Sequence, residues 1–418
     1  MPDILVIGGG AAGMMAALAA AEAGASVTLL ERNEKLGRKI YITGKGRCNL
    51  TNDCTLEEFL REVPGNPRFL YSALTAFGPQ DMMALMENGG CPVKTERGRR
   101  VFPVSDHASD VTRCLEGLLR RRGVTIRLNA RVRSLSAEEG RVTGAVLESG
   151  EKIAASRVIL ATGGRSYEGT GSTGDGYRMA EAAGHTIVPL RPGLAGLELR
   201  EDWPKRLQGL SLKNVTLTLK QGKKTLYQEQ GEMLFTHFGI SGPLALTACS
   251  HLPEDVASAR LTLNLKPALD RETLDNRLVR EMTQQSRKRL RTALCALLPS
   301  SLAEEFPGIC GLDGEKTCDQ LTRQERSRLA DTLQALPLTV TRPRPIEEAI
   351  ITRGGVSVKE TDPKTMESKR LPGLYFAGEL LDTDAHTGGY NLQIAWSTGH
   401  LAGKSAAESV MKEDREVQ

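Results

Sequence analysis

Gly8, Gly10 and Gly13 follow the spacing G-x-G-x-x-G, and that spacing serves the binding of a dinucleotide's pyrophosphate. The first glycine permits a tight turn, the second lets the backbone approach the phosphates, and the third lets a helix pack closely on a strand. Free N–H groups and the helix dipole then favour negative charge at the helix N-terminus. The flanking sequence supplies the elements this chemistry needs. Ile4-Leu5-Val6-Ile7 reads as a strand, the Ala-rich run to Ala23 as a helix stopped by Gly24, and Val27-Thr28-Leu29-Leu30 as a second strand. Glu31 ends that strand, where a carboxylate accepts hydrogen bonds from an adenosine ribose.

The fingerprint alone does not separate NAD from FAD; two later segments do. Val158-Ile159-Leu160-Ala161-Thr162-Gly163-Gly164 and Leu374-Tyr375-Phe376-Ala377-Gly378-Glu379 are strands ending in small residues. They resemble the Ala-Thr-Gly and Gly-Asp motifs of two-dinucleotide-binding flavoproteins, with Glu379 in place of the usual Asp. Small residues let the sheet edge meet a cofactor, and Glu379 can bond ribityl hydroxyls. Gly388-Gly389-Tyr390-Asn391-Leu392-Gln393 leads into a helix whose N-terminus would face the flavin N1/C2 carbonyl region, where reduction builds negative charge.

Between these motifs the pattern changes character. Strand signals such as Thr125–Leu128 alternate with helical ones such as Asp110–Arg122 until about Ile187. Val215–Lys220, Thr225–Gln230 and Arg260–Leu265 then alternate apolar and polar residues, with a turn at Gly222, as antiparallel sheet does. From Arg271 to Leu336 the chain is helical and charged, with Leu274, Leu278 and Met282, then Leu290, Leu294 and Leu297, at helical spacing. From Ile350 the parallel-sheet style returns. The expected fold class is therefore α/β: a Rossmann-like FAD-binding domain (1–187 and 348–418) interrupted by an antiparallel β-barrel-like domain (188–266). A small helical subdomain (267–336) and a return strand of the β domain (337–347) complete the insertion.

Three segments carry a family resemblance: Thr43-Gly44-Lys45-Gly46-Arg47-Cys48-Asn49-Leu50-Thr51-Asn52, Leu234–Pro243 and Gly388-Gly389-Tyr390-Asn391. With them the chain resembles the bacterial NAD(P)/FAD-dependent oxidoreductase family that includes aminoacetone oxidase-like proteins and the flavoprotein of bile-acid dehydroxylation. The resemblance implies a Rossmann-like FAD domain, an inserted β-barrel and a helical subdomain. Asp384-Ala385-His386-Thr387 departs from it, since the family more often has Gly and then Cys or Thr before the Gly-Gly.

The candidate cofactor contacts are Gly8, Gly10, Ala12, Gly13, Glu31, Arg32, Lys39, Gly44, Arg47, Cys48, Asn49, Val132, Ala161, Thr162, Gly163, Gly378, Glu379, Gly389, Tyr390, Asn391, Gln393 and Ile394. Lys45 and Arg47 lie in a Gly-rich loop and stand against a plain solvated loop. Cys48 has no partner cysteine, so small buried packing is the simpler role for it. His237 and His386 are the candidate proton donors, because imidazole titrates near working pH; a satisfied structural histidine is the plain alternative. Ser241-Gly242-Pro243 reads as an N-cap and helix start. No metal site is expected.

Composition narrows the rest. Lys and Arg outnumber Asp and Glu by 55 to 51, too small an excess to indicate a polyanionic partner. Most of the local basic excess lies at Arg287-Lys288-Arg289-Leu290-Arg291, which a solvated helix face explains. Eight cysteines without a C-x-x-C pair point to reduced thiols in a cytoplasm. The apolar stretch Ile4–Leu30 has no basic flank and is broken by glycines and Glu22, so neither a signal peptide nor a membrane span is expected. No second G-x-G-x-x-G directly follows a strand, so any NAD(P)H must reach the flavin directly as a transient donor. The expected activity is FAD-dependent electron transfer, with non-covalent FAD, between a small organic substrate and NAD(P)H or another acceptor. Clefts between domains commonly bind small molecules, so the substrate is expected between the flavin face and the inserted domain, near Phe235–Pro243. The alternatives are an oxidase using oxygen and a flavin-binding RNA-modification partner or redox sensor. No nucleic acid or membrane partner is expected.

Overall fold

The computed structural model describes the backbone of residues 2–417 and the side chains of residues 2–413; Met1 and Gln418, the outer ends of the expected FAD domain, lie outside them. The chain divides into two compact units, residues 1–193 with 346–418, and residues 194–345.

The first unit opens with β1 (Ile4–Ile7), α1 (Ala11–Glu22) and β2 (Val27–Leu30), followed later by α2 (Ala108–Arg121), β3 (Thr125–Arg127), β4 (Arg157–Leu160) and β5 (Ile187–Gly193). All four residues of β1, β2 and β4 are buried, the near-continuous apolar signature of strands covered on both faces. Between α2's neighbours sit two small antiparallel sheets, Thr51–Asn52 with Val93–Glu96 and Arg100–Pro103, and Val132–Glu138 with Arg141–Leu147 and Lys152–Ala154.

The second unit is built on β6 (Leu197–Leu199), β7 (Ser211–Gln221), β8 (Lys224–Thr236), β9 (Gly239–Ser241) and β10 (Ala259–Asn264). Helices α3 (Arg271–Gln284), α4 (Ser300–Ile309) and α5 (Arg323–Gln334) follow, then β11 (Leu336–Leu338) and β12 (Val340–Pro343). These strands form one antiparallel sheet in the order β11-β10-β7-β8-β9-β6-β12. Its two outermost strands are separated in sequence only by Thr339, so the chain passes directly from one edge of the sheet to the other. Two local readings change. Gly242, not Ser241, occupies the N-cap before the helix Pro243–Ser250, and no side chain caps it. The apolar periodicity at Leu290–Leu297 forms only a short helix, Leu290–Ala293, and a 3-10 turn, Leu294–Ala296, although Leu290 and Leu294 are fully buried.

The chain then completes the first unit with β13 (Ile351–Val356), β14 (Leu374–Phe376) and α6 (Tyr390–Val417). β14 pairs in parallel with β4, Val158 opposite Leu374, so a strand from the end of the chain joins the sheet begun at Ile4. The full order is β14-β4-β1-β2-β3, all parallel. β13 differs from expectation: it pairs antiparallel with β5 in a separate two-stranded ribbon. Ala-rich α1 lies directly against α6. A Cβ on Gly399 would sit 2.3 Å from Ala12 O, so only glycine permits this separation of the two backbones. No described helix is long and apolar enough to cross a membrane.

Candidate functional site

The turn after β1 is held from three sides. Gly8 N donates to Leu30 O at 2.8 Å, and Gly8 has φ +106, in the region that favours glycine. A Cβ on Gly13 would fall 1.7 Å from Gly8 O, so the close helix–strand packing read from the spacing is present. Gly10 is the N-cap of α1 without a side-chain cap, and a Cβ there would meet nothing within 4 Å. The first N–H to find an i−4 partner is that of Met14, to Gly10 O. The N–H groups before it are the ordinary unpaired donors of a helix start.

Glu31 is buried at the end of β2. Its Oε2 accepts from Gly9 N at 2.7 Å, and its Oε1 accepts from Asn33 N and Asn33 Nδ2. The carboxylate therefore braces the phosphate turn, and a ribose hydroxyl would share oxygens that already accept bonds. Arg32 is turned away to Thr173 and Asp175. Val132 is a buried apolar contact.

Lys39 Nζ donates to Ser166 Oγ and to Glu379 Oε2, both at 2.7 Å. Glu379 Oε1 accepts from Thr352 N at 2.8 Å and Ser166 Oγ at 3.2 Å. Both oxygens of Glu379 thus already have protein donors. Gly378 N donates to Thr398 on α6, and a Cβ on Gly378 would meet Ala12 Cβ at 2.7 Å, so the first and last motifs are in contact. Ala161 is buried beneath Gly8; Thr162 Oγ1 is buried with no hydrogen-bond partner among the described residues, and Gly163 has φ +74.

Gly44 has φ +56 and leads into the loop of Arg47, Cys48 and Asn49. Arg47 pairs with Glu96 and Asp106 and lies over the Phe102 ring, so its charge is spent inside the protein. Those hydrogen bonds, to Glu96 first and then Asp106, hold the guanidinium above its ordinary value. Lys45 lies in the same loop with φ +59. Burial pushes the Cys48 thiol up to about 12, which leaves it uncharged and unreactive. Asn49 Oδ1 is buried and without a partner, and a Cβ on Gly389 would sit 3.0 Å from it.

At the start of α6, Tyr390 sets its ring edge-on to Phe59. Asn391 Oδ1 accepts from Ala385 N, while its Nδ2 donates to Ala385 O and His386 O. Gln393 is fully buried; its Oε1 accepts from Thr51 Oγ1 and its Nε2 donates to Phe77 O and Ser397 Oγ. Ile394 is buried. Asn391 and Gln393 therefore shape the loop before the helix.

The two histidines fall in different units. His237 is exposed in the β8–β9 turn of the inserted unit, edge-on to Phe238. His386 Nδ1 lies 3.0 Å from Glu62 Oε2. Sequence reasoning passed over Ser166, Thr352 and Arg353. Their importance comes from contacts between distant segments, and Thr352 and Arg353 sit in a strand whose type signals only sheet.

These residues fit FAD. The helix start at Gly10 is open, and two buried polar atoms, Asn49 Oδ1 and Thr162 Oγ1, lack partners inside the motifs read as cofactor-binding. A five-stranded parallel sheet with an open helix N-terminus after its first strand and a carboxylate after its second defines a Rossmann-like FAD-binding protein. The chain belongs to the HI0933-like family, whose Rossmann-domain description matches residues 2–405, and this is an FAD-binding oxidoreductase family. It is 32% identical over 414 residues to a 3-dehydro-bile acid delta(4,6)-reductase of Clostridium scindens, covering 98% of this chain and 100% of that one. It is 33% identical over 403 residues to the ribosomal RNA dihydrouridine synthase of Escherichia coli, covering 95% and 96%. Its fold is similar to that of a 3-ketosteroid-delta4-(5alpha)-dehydrogenase from Rhodococcus jostii, with a TM-score of 0.52 at 17% identity over 97% of this chain and 96% of that one.

Proposed function

We propose that this protein is an FAD-dependent reductase that saturates a carbon–carbon double bond conjugated to a carbonyl, with NADH or NADPH as the transient electron source. The observation that carries the reading is chemical. Of the two relatives at about a third identity, one is named for reducing the delta-4,6 bonds of a 3-dehydro bile acid and the other for making dihydrouridine. Both names describe adding two electrons and two protons across an alkene that a carbonyl activates.

FAD, when bound, supplies hydride-transfer chemistry. The chain's own part is binding and electrostatics. The Gly8–Gly13 turn and the open start of α1 would hold the pyrophosphate. The N-terminus of α6, after Gly388-Gly389, favours negative charge beside it. None of the described cysteines forms a disulfide, in keeping with the reducing cytoplasm proposed for it. A small molecule is the favoured substrate because Arg289 and Arg291 of the 287–291 basic cluster are tied to Glu315 and Glu304.

The test begins with heat release of the bound flavin, which should be FAD and not FMN. Anaerobic reduction by NADH and by NADPH follows, then re-oxidation by a delta-4 3-oxosteroid or by deproteinised ribosomal RNA. Re-oxidation by the steroid supports the small-molecule form, and re-oxidation by RNA alone moves the substrate to a uracil base. Rapid re-oxidation by oxygen only would replace the reductase reading with an oxidase.

A further inference from the structure

β13 carries Thr352 and Arg353 next to each other, so their side chains leave opposite faces of the strand. Thr352 faces the cofactor motifs: its Oγ1 accepts from Arg165 N and Ser166 N, and its N–H reaches Glu379. Arg353 faces the other way, toward the loop after Leu381, and a Cβ on Gly193 would collide with its Cγ at 2.7 Å. In that loop Asp384 is only 5% exposed.

Arg353 Nε and Asp384 Oδ2 lie 3.7 Å apart, beyond hydrogen-bond length. Both atoms are buried, and neither has a hydrogen-bond partner among the described residues; Thr383 Oγ1 beside them is also unsatisfied. Buried polar atoms are nearly always paired, so two left unbonded side by side suit a third group that bonds to both. The surrounding charges are already engaged. Asp382 receives Asn66 Nδ2, His386 is held by Glu62, and Arg191, opposite Arg353 in the β5–β13 ladder, has its own partner.

We propose that Arg353 and Asp384 anchor the carbonyl oxygen of the substrate. The inference rests on the reductase reading above and names the ligand class: a conjugated ketone or cyclic imide whose oxygen gains negative charge as the double bond is reduced. Arg353 Nε donates to that oxygen. Asp384 is the second donor in this proposal, in its protonated form; burial shifts its carboxyl in that direction, against Arg353. Two donors fixed in place by the fold stabilise an oxyanion better than water does.

Phenols test this without turnover, because a phenolate oxygen on a flat ring imitates an enolate. The FAD-loaded oxidised protein is titrated with 4-chlorophenol by calorimetry, alongside Arg353→Gln, Asp384→Ala and Asp384→Asn, with FAD content measured for each. Binding should weaken about tenfold or more in the first two variants. Asp384→Asn keeps a donor and should remain within about threefold, with all three variants still holding FAD. No binding to the wild type, or an affinity indifferent to either Arg353→Gln or Asp384→Ala, overturns the proposal. The two readings separate cleanly. Phenol binding through both residues with every enone left unreduced keeps the anchor and removes the reductase. Enone reduction with phenol affinity blind to both residues does the reverse.

Discussion

Lys39 Nζ lies 2.7 Å from Glu379 Oε2, joining residues 340 positions apart in the sequence. Ser166 bonds both partners, so the contact ties the loop after β2, the loop after β4 and the motif after β14 into one network. About a fifth to a quarter of each side chain remains exposed, so the pair is neither fully buried nor a surface pair.

Removing one partner should therefore cost less than the loss of a fully buried ion pair. We expect Glu379→Gln and Lys39→Met each to lower stability by about 1–2 kcal/mol in urea unfolding. The double variant should show a coupling of about 1 kcal/mol. Strictly additive effects would mean that the two charges act independently.

Gly10 and Gly13 share a motif but should fail in different ways. Gly13→Ala places a methyl 1.7 Å from Gly8 O, and we expect a loss of about 4 kcal/mol or more, or no folded protein. Gly10 has φ −80 and open space around it, so Gly10→Ala should cost about 1 kcal/mol or less. Gly10→Val should fold and yet bind FAD at least about tenfold more weakly, because its side chain fills the approach to α1. Normal FAD occupancy in that variant would place the pyrophosphate elsewhere.

The contrast shows what a sequence can reveal. Gly8, Gly13 and Glu31 are legible because their roles are set by the few residues around them and by a fixed spacing. The small residues ending β4 and β14 were legible for the same reason. Arg353 and Asp384 were not, because their relationship is made by β13 turning away from the parallel sheet to pair with β5. Apolar pattern marks β13 as strand but cannot choose its partner or direction. Arg47 shows another limit of the sequence. A cation in a glycine-rich loop suggests a phosphate contact, yet Glu96 and Asp106, brought in by a neighbouring sheet, take its charge.

Thiol chemistry gives a third check. Burial raises the thiols of Cys48 to about 12 and of Cys54, Cys91 and Cys310 to about 11. Cys295 is the one exposed cysteine among the described residues. In the native protein one thiol per chain should react quickly with a disulfide reagent at neutral pH, and Cys295→Ser should abolish that phase. The full set should react after unfolding. A fast phase that survives Cys295→Ser would show that another thiol opens to solvent.

Stability should also depend on pH through His185. Its ring is buried edge-on to Phe376, with Nε2 at 2.7 Å from Ser368 Oγ. Burial holds its pKa below the ordinary 6.5, and Glu360, 3.6 Å from Nδ1, only partly opposes this. The folded state therefore resists the proton that the unfolded chain accepts. Where the unfolded chain binds more protons, stability rises with pH. The contribution is complete above about 6.5 and is lost as pH falls through 6.5 to the lower folded-state value. His400, also lowered mainly by burial, adds a slope of the same sign. The Glu360 carboxyl, held at about 2 chiefly by Thr186 N, adds a slope of the same sign only toward pH 5, where the unfolded carboxyl, near 4.5, begins to take up protons. Urea midpoints measured from pH 8 to pH 5 should fall toward acid in the wild type. They should fall less in His185→Gln, which cannot titrate, with the remainder carried by His400 and, toward pH 5, by lowered carboxylates such as Glu360. An identical slope in both proteins would remove His185 from the account and leave the whole acid sensitivity to other groups.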